Sequence, residues 1–343
     1  MGNRKEEAIK HLSTRIDQHS TDHVDFGDWQ FNRGPELAVQ KDEGLLPSQE
    51  MLDRFAREYS PRPGYSNWMY DNLGVPSPII RVDFSPEKPD YPYEFEARPA
   101  GLGIYTEFFG GKEQVRRYFA GLGEYLGRPL GVQVLPSVFG GEGKKDRSLD
   151  SRTFAKNAGL PFFENGTRPN EEYLLWARGG EEDIDTVGSD RLSAIEAQSL
   201  TPVRDHGNKE YLARMGLATV LCDTAEIDFD TAFCIKPIYG SKSDGVGIFV
   251  PDGKKLPGTS TRTQILRLRD YNDAKGGSLL QEYIPPALVS EEGQKQQFMI
   301  FRIFAAFMPE TGQYEMFGGT YFTRPNVKIH GASDALVGKV EIT

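Results

Sequence analysis

The chain has 343 residues, 38% of them hydrophobic, with 21 Phe and 15 Tyr, enough for a core shared by two or three structural layers. Its 50 Asp and Glu outweigh 40 Lys and Arg to leave a net charge of −10, which argues against a broad nucleic-acid face or attraction to an anionic membrane and confines any phosphate site to a few local cations or a metal. Two cysteines, Cys222 and Cys234, lie in apolar surroundings without metal-ligand spacing, and no long apolar segment or secretory leader appears, so we expect a soluble cytoplasmic protein with both thiols in its core.

Residues 1 to about 25 are polar and read as a helix or loose arm, with His11, His19 and His23 too scattered for a metal site. Glu36 to Val39 and Met51 to Arg57 suggest short helices, ended by Pro61, Pro63 and Gly64. From Pro78 to Gly101, period-2 spacing places Arg81 and Asp83 on one side of a short strand and Glu94 and Glu96 on one side of the next. A turn rich in Pro and Asp joins them. If the strands pair, three carboxylates converge and need a cation between them; Mg²⁺, which takes one or two carboxylates and fills its shell with water and phosphate, suits them. A solvated strand face of mixed charge is the alternative. Residues 112 to 126 carry Val115, Tyr118, Phe119, Leu122 and Tyr125 at helical spacing. A strand at 131–136, a helix at 151–158 and a strand at 172–177 then predict an α/β layer with a parallel sheet. The loop at 140–145 is open to two readings, an anion site or a surface loop, and the acidic tract from Gly179 to Asp190 is expected to be exposed.

Asn208, Lys209, Tyr211, Leu212 and Met215 belong to a predicted helix over 206–216 that ends at Gly216. Phe233 to Val250 reads as strand, glycine loop, strand: an apolar run closing on Lys236 and Pro237, then Gly240, Gly245 and Gly247. Such a tip either brings backbone N–H groups and Lys236 to a phosphate or is a plain turn, and it lacks the spacing of a Walker loop. A polar helix to about residue 275 follows, then strands at 278–284, 297–307 and 314–324, the last two joined by a turn at Thr311-Gly312. Arg302 reads equally as a buried structural arginine or a catalytic one. Arg324 ends a strand and reads more readily as functional. His330, near Asn326 and Asp334, is either a proton-transfer group or a loop-stabilising one.

In combination these pieces resemble the ATP-grasp superfamily of ligases. The resemblance rests on Asn208-Lys209, Lys236-Pro237, the flap from Gly240 to Gly247, Gln281-Glu282-Tyr283-Ile284, and Arg302 with Arg324, in that order. The metal motif usually comes last in that family, whereas Arg81-Val82-Asp83 and Glu94-Phe95-Glu96 come early here, so the resemblance is to the circularly permuted, glutathionylspermidine-synthase-like members. Glu96 stands where the family usually has Asn. The resemblance implies an α/β (α+β) ATP-grasp fold with an additional parallel layer, divided as 1–111, 112–204, 205–290 and 291–343. It implies ATP held by Lys209, Lys236, Gly240, Ser241, Gly245, Val246, Gly247, Gln281, Glu282, Tyr283 and Ile284, Mg²⁺ held by Asp83, Glu94 and Glu96, and a transferring phosphoryl group met by Arg81, Arg302 and Arg324. The activity implied is amide-bond formation between a small carboxylate, such as an amino acid or peptide, and an amine through an acyl phosphate, with a homo-oligomer possible. A small-molecule kinase and a non-catalytic nucleotide-binding protein stay open as alternatives.

Overall fold

Strands encoded near both ends of the chain form one sheet. The computed structural model describes residues 22–27, 29–139, 148–164, 172–205, 207–240, 244–251, 256–289, 296–327 and 335–343, with Lys5 and Ile9. Its strands are β1 (His23–Phe26), β2 (Trp29–Arg33), β3 (Leu37–Val39), β4 (Ile79–Phe84), β5 (Glu94–Glu96), β6 (Leu130–Val134), β7 (Phe162–Glu164), β8 (Leu174–Arg178), β9 (Ala218–Leu221), β10 (Phe233–Pro237), β11 (Gly247–Phe249), β12 (Ser278–Glu282), β13 (Ala287–Leu288), β14 (Phe298–Met308), β15 (Gln313–Arg324) and β16 (Leu336–Ile342). The large sheet runs β1-β2-β16-β15-β14-β4-β5, with β13 beside β14 and β3 beside β16. A four-stranded sheet runs β11-β10-β12-β9 and a three-stranded one β7-β6-β8. The chain is therefore a mixed α+β protein.

Both predicted hairpins form. β4 pairs antiparallel with β5, setting Asp83 opposite Glu94 and Arg81 opposite Glu96, and β14 pairs on the other side of β4, setting Arg302 opposite Asp83. Cross-strand partners project to the same side of a sheet, so Arg81, Asp83, Glu94, Glu96 and Arg302 share one face. The alternate residues Ile80, Val82, Phe84, Phe95, Phe301 and Ile303 are buried on the other face. Against them lies the helix Gln49–Glu58, started by the Ser48 side chain, which accepts from the Met51 N–H. Phe55 of that helix stacks on Phe95 at 4.3 Å, and the Tyr211 ring meets both edge-on.

In the four-stranded sheet the alternation of β10 faces two different apolar clusters. Phe233 and Ile235 pack with Phe249 and Ile265 under the helix Arg262–Asp273, whereas Cys234 and Ile248 join a second apolar cluster with Phe298 of the large sheet. Lys236 falls on the Cys234 side. β10 and β11 are antiparallel, as predicted. Their connection includes Gly245 at φ +71°, where a Cβ would sit 2.1 Å from Asn272 Oδ1, so the backbone there requires glycine both for its torsion and for its close approach.

The predicted parallel layer is present: β6 pairs parallel with both β7 and β8. On one side Phe119 of the helix Lys112–Leu126 and Phe154 of the helix Ser148–Ala158 pack around Trp176, and on the other Leu192 and Ile195 of the helix Ser189–Ala197 cover Leu175 and Ala177. The helix Leu102–Phe108 meets Ser148–Ala158 at Gly103, where a Cβ would lie 2.1 Å from the Asp150 carbonyl oxygen.

Four expectations are corrected. Leu37–Val39 is a strand, because its buried-exposed-buried alternation docks parallel along β16. Lys209 caps the short helix Glu210–Arg214 instead of lying within a longer one, since its N–H bonds the Ile238 carbonyl beside β10. Cys222 is exposed just beyond the edge strand β9, and only Cys234 is buried. Within the acidic tract Asp183 is buried, its oxygens accepting from Ser137 N, Ser137 Oγ and Gly180 N. The loop at 140–145, His11, His19, Ser241, His330 and Asp334 lie outside the described residues.

Replacing Phe55 by Ala removes a fully buried ring from the stack on Phe95, and we expect it to lower unfolding stability by about 3–5 kcal/mol in a urea titration.

Candidate functional site

The charged face of the large sheet centres on Asp83. Arg81 donates to it through Nε at 2.9 Å and Nη2 at 3.1 Å, and Arg302 through Nε at 3.1 Å and Nη2 at 2.8 Å. Each carboxylate oxygen thus receives one bond from each guanidinium, which uses all of the roughly four acceptor positions a carboxylate offers. Burial acts to raise the Asp83 carboxyl, but Arg302 and Arg81 outweigh it and hold the group below the usual carboxylate range. Burial likewise works to lower Arg81, and Asp83, Glu96 and Glu94 together raise it above the ordinary arginine value. Arg302 also lies over the rings of Phe322, at 4.7 Å, and Trp29, at 5.7 Å, and its Nη1 has no protein partner among the described residues.

The two predicted lysines meet the acidic hairpin directly. Lys236 is buried on β10 and donates to the Tyr93 carbonyl at 2.6 Å and to Gln281 Oε1 at 2.7 Å, leaving one of its three donors without a partner among the described residues. Gln281 is locked in turn by its own donation to the Pro92 carbonyl at 2.8 Å. Lys209 forms an ion pair with Glu94 at 3.2 Å and donates to the carbonyls of Gly240 and Gly207. Gly240 N bonds the Gly207 carbonyl, so the start of the glycine loop is fastened to the segment that carries Lys209. The glycine hairpin and the acidic hairpin, far apart in the chain, therefore touch through both lysines.

Among the described residues no group of three His, Cys, Asp or Glu side chains is placed to hold a metal ion. The expected trio divides. Asp83 does not fit a metal, because its acceptor positions are spent on arginine. Glu94 and Glu96 fit better: each is about a quarter to a third exposed, at 29% and 27%, and each commits one oxygen, Glu94 Oε1 to Lys209 and Glu96 Oε2 to Arg81 at 2.7 Å and to the Ala100 N–H at 3.2 Å. The other oxygen of each has no protein partner among the described residues, and two carboxylate oxygens on one strand face are a donor set that Mg²⁺ accepts.

Of the remaining predicted residues, Gly247 lies in β11 opposite Ile235, and Gly245 is held to Asn272, with Val246 between them. Glu282 is exposed at the end of β12 opposite Phe233, Tyr283 N donates to the Ala232 carbonyl at 3.3 Å, and Ile284 is buried. Tyr283 and Val246 border the apolar cluster of Cys234, Ile248 and Phe298. Arg324 stands at the end of β15 opposite Phe298, farther from Asp83 along the same face than Arg302. Arg98, passed over in the sequence, donates to the carbonyls of Gly179 at 2.5 Å and Val203 at 3.1 Å. Its signal was the period-2 continuation of Glu94 and Glu96 into position 98.

No protein-family model matches the chain, and no curated protein matches it.

Asp83→Asn leaves two buried guanidiniums facing a neutral amide, and we expect a loss of about 3–5 kcal/mol at pH 7 by urea denaturation. Because the folded carboxyl titrates below its unfolded value of about 3.9, its contribution is complete above that pH and fades as pH falls through the lower folded value. The gap between wild type and variant should therefore be constant from neutral pH to about 5 and shrink below about 4.

Proposed function

We propose that the chain is an ATP-dependent carboxylate–amine ligase on a circularly permuted ATP-grasp fold. The single observation that carries the reading is the meeting of two lysines with the acidic hairpin: Lys236 of the glycine hairpin on the Tyr93 carbonyl, and Lys209, fastened to the start of the glycine loop, on Glu94. Lys236, Lys209 and the glycine loop would then form one side of a triphosphate site and the acidic strand pair the other, which is what a triphosphate with its metal requires. The pairing of β4 with β14 supports the permuted order, since the early acidic strands and the late arginine strand are neighbours in space.

In this reading the adenine ring rests on the apolar cluster of Cys234, Ile248 and Phe298, and the backbone from Gln281 to Ile284 meets its edge. Lys236 offers its unused donor, and Lys209 its charge, to the α- and β-phosphates. Glu94 and Glu96 would hold Mg²⁺, which neutralises charge on the β- and γ-phosphate oxygens when bound. Asp83 fixes the two guanidiniums in one orientation, and Arg302 Nη1 is aimed at developing negative charge without further reorganisation. Arg324 lies nearer the adenine end, opposite Phe298, and serves the nucleotide more readily than the transferred group. In the chemistry a substrate carboxylate oxygen bonds the γ-phosphorus as the bond to ADP breaks. An amine nitrogen then bonds the acyl carbon, inorganic phosphate leaves, and the nitrogen gives up a proton. No protein nucleophile is needed.

The test is ADP release in the presence of ATP, Mg²⁺ and panels of carboxylates, with hydroxylamine added to trap an acyl phosphate as a hydroxamate. Hydroxamate formed only with a particular carboxylate supports the ligase; a stable phosphorylated product would identify a kinase, and Mg-ATP binding with no turnover in any panel a binding protein. Lys236→Met should weaken Mg-ATP binding by about 10- to 100-fold in calorimetry, the value of one charge-assisted hydrogen bond, and wild-type affinity in that variant would remove the nucleotide site from these residues.

A further inference from the structure

We propose that Arg98 and Arg178 anchor a second, unreactive carboxylate of the substrate, which makes the substrate a dicarboxylic acid or an acidic amino acid. The inference rests on the ligase reading for which molecule carries the carboxylate, but the site itself stands on geometry. The chain runs from the contact with Lys236, at Tyr93, through Glu94 and Glu96 of β5 to Arg98 just beyond it, so Arg98 follows the acidic pair on the side away from the nucleotide lysine. Arg178 is the last residue of β8, at the carboxyl end of a parallel sheet, where open α/β sheets bind their ligands.

Arg98 has no carboxylate within ion-pair distance among the described residues; only Nη1 is engaged, by the two carbonyls of Gly179 and Val203. Those bonds fix the plane of the guanidinium and leave the rest of its donor fork over. Arg178 spends Nη1 on Asp150 Oδ2 at 3.2 Å and Ser151 Oγ at 3.1 Å, while its Nε is buried with no partner among the described residues. Arg98 Nη1 donates to the carbonyl of Gly179, the residue that follows Arg178, which brings two mutually repelling cations to one end of β8, where Asp150 is the one carboxylate paired with either among the described residues. A carboxylate bound between the two would relieve that repulsion and satisfy the orphaned donor, and a planar fork suits a carboxylate better than a point charge does.

Binding to the full chain is measured by calorimetry with glutarate, glutamate, acetate and inorganic phosphate at matched ionic strength, without nucleotide. Glutarate or glutamate should bind at least about 10-fold more tightly than acetate, and Arg98→Lys and Arg178→Lys, which keep the charge but lose the fork, should each weaken that binding by about 10-fold while Mg-ATP affinity stays within about two-fold. Dicarboxylates binding no better than acetate, unchanged dicarboxylate binding in both variants, or phosphate bound in preference would each overturn the proposal. Loss of Mg-ATP binding in wild type with dicarboxylate binding intact would instead sink the ligase reading and leave the anion site standing.

Discussion

The clamp on Asp83 by Arg81 and Arg302 is the constraint from which the rest of the molecule takes its arrangement. It sits at the seam of β4 and β14, so the pairing that completes the large sheet also assembles the charged face. Three buried charges are costly to desolvate, and a triad of this kind is weak evidence for stability in its own right. Its better-supported role is geometric. Two guanidiniums held by the same carboxylate cannot swing, and the donors they have left project in fixed directions.

Around that seam a simple division of labour recurs. β10 sends Phe233 and Ile235 under its covering helix and Cys234 and Lys236 toward the large sheet, and β4 with β5 likewise sets Val82 and Phe95 on one face against Asp83 and Glu94 on the other. The period of two lets each strand hold the fold with one face and display chemistry with the other. Lys236 is immobilised by a backbone carbonyl and an amide oxygen, with no carboxylate at ion-pair distance among the described residues, whereas the charge of Lys209 is shared between Glu94 and two backbone carbonyls.

Much of this was legible from local pattern. The two hairpins, the helix Lys112–Leu126, the parallel layer and the long strands β14 and β15 all follow from helical spacing, apolar runs of strand length and turn residues, which are signals carried within each segment. The fate of Asp83 was not legible. Spacing brings Asp83, Glu94 and Glu96 to one face, but whether a carboxylate meets a metal or an arginine depends on Arg302, encoded far downstream. Asp183 was misread for a related reason: its burial depends on three donors from Ser137 and Gly180, a satisfaction that no local acidic run reveals. Leu37–Val39 is too short to show a period, and only its docking on β16 makes it a strand.

The position of β16 has a consequence for the order of assembly. It lies between β2 and β15, parallel to β2 and antiparallel to β15, and among the described residues the β1–β2 hairpin pairs with the large sheet across it alone. The edge of β2 that faces away from β1 must wait for a segment synthesised long afterwards before its backbone groups find a strand partner. A nascent chain therefore carries an open sheet edge through most of translation, and its maturation should be slow, dominated by long-range closure, and sensitive to chaperone supply.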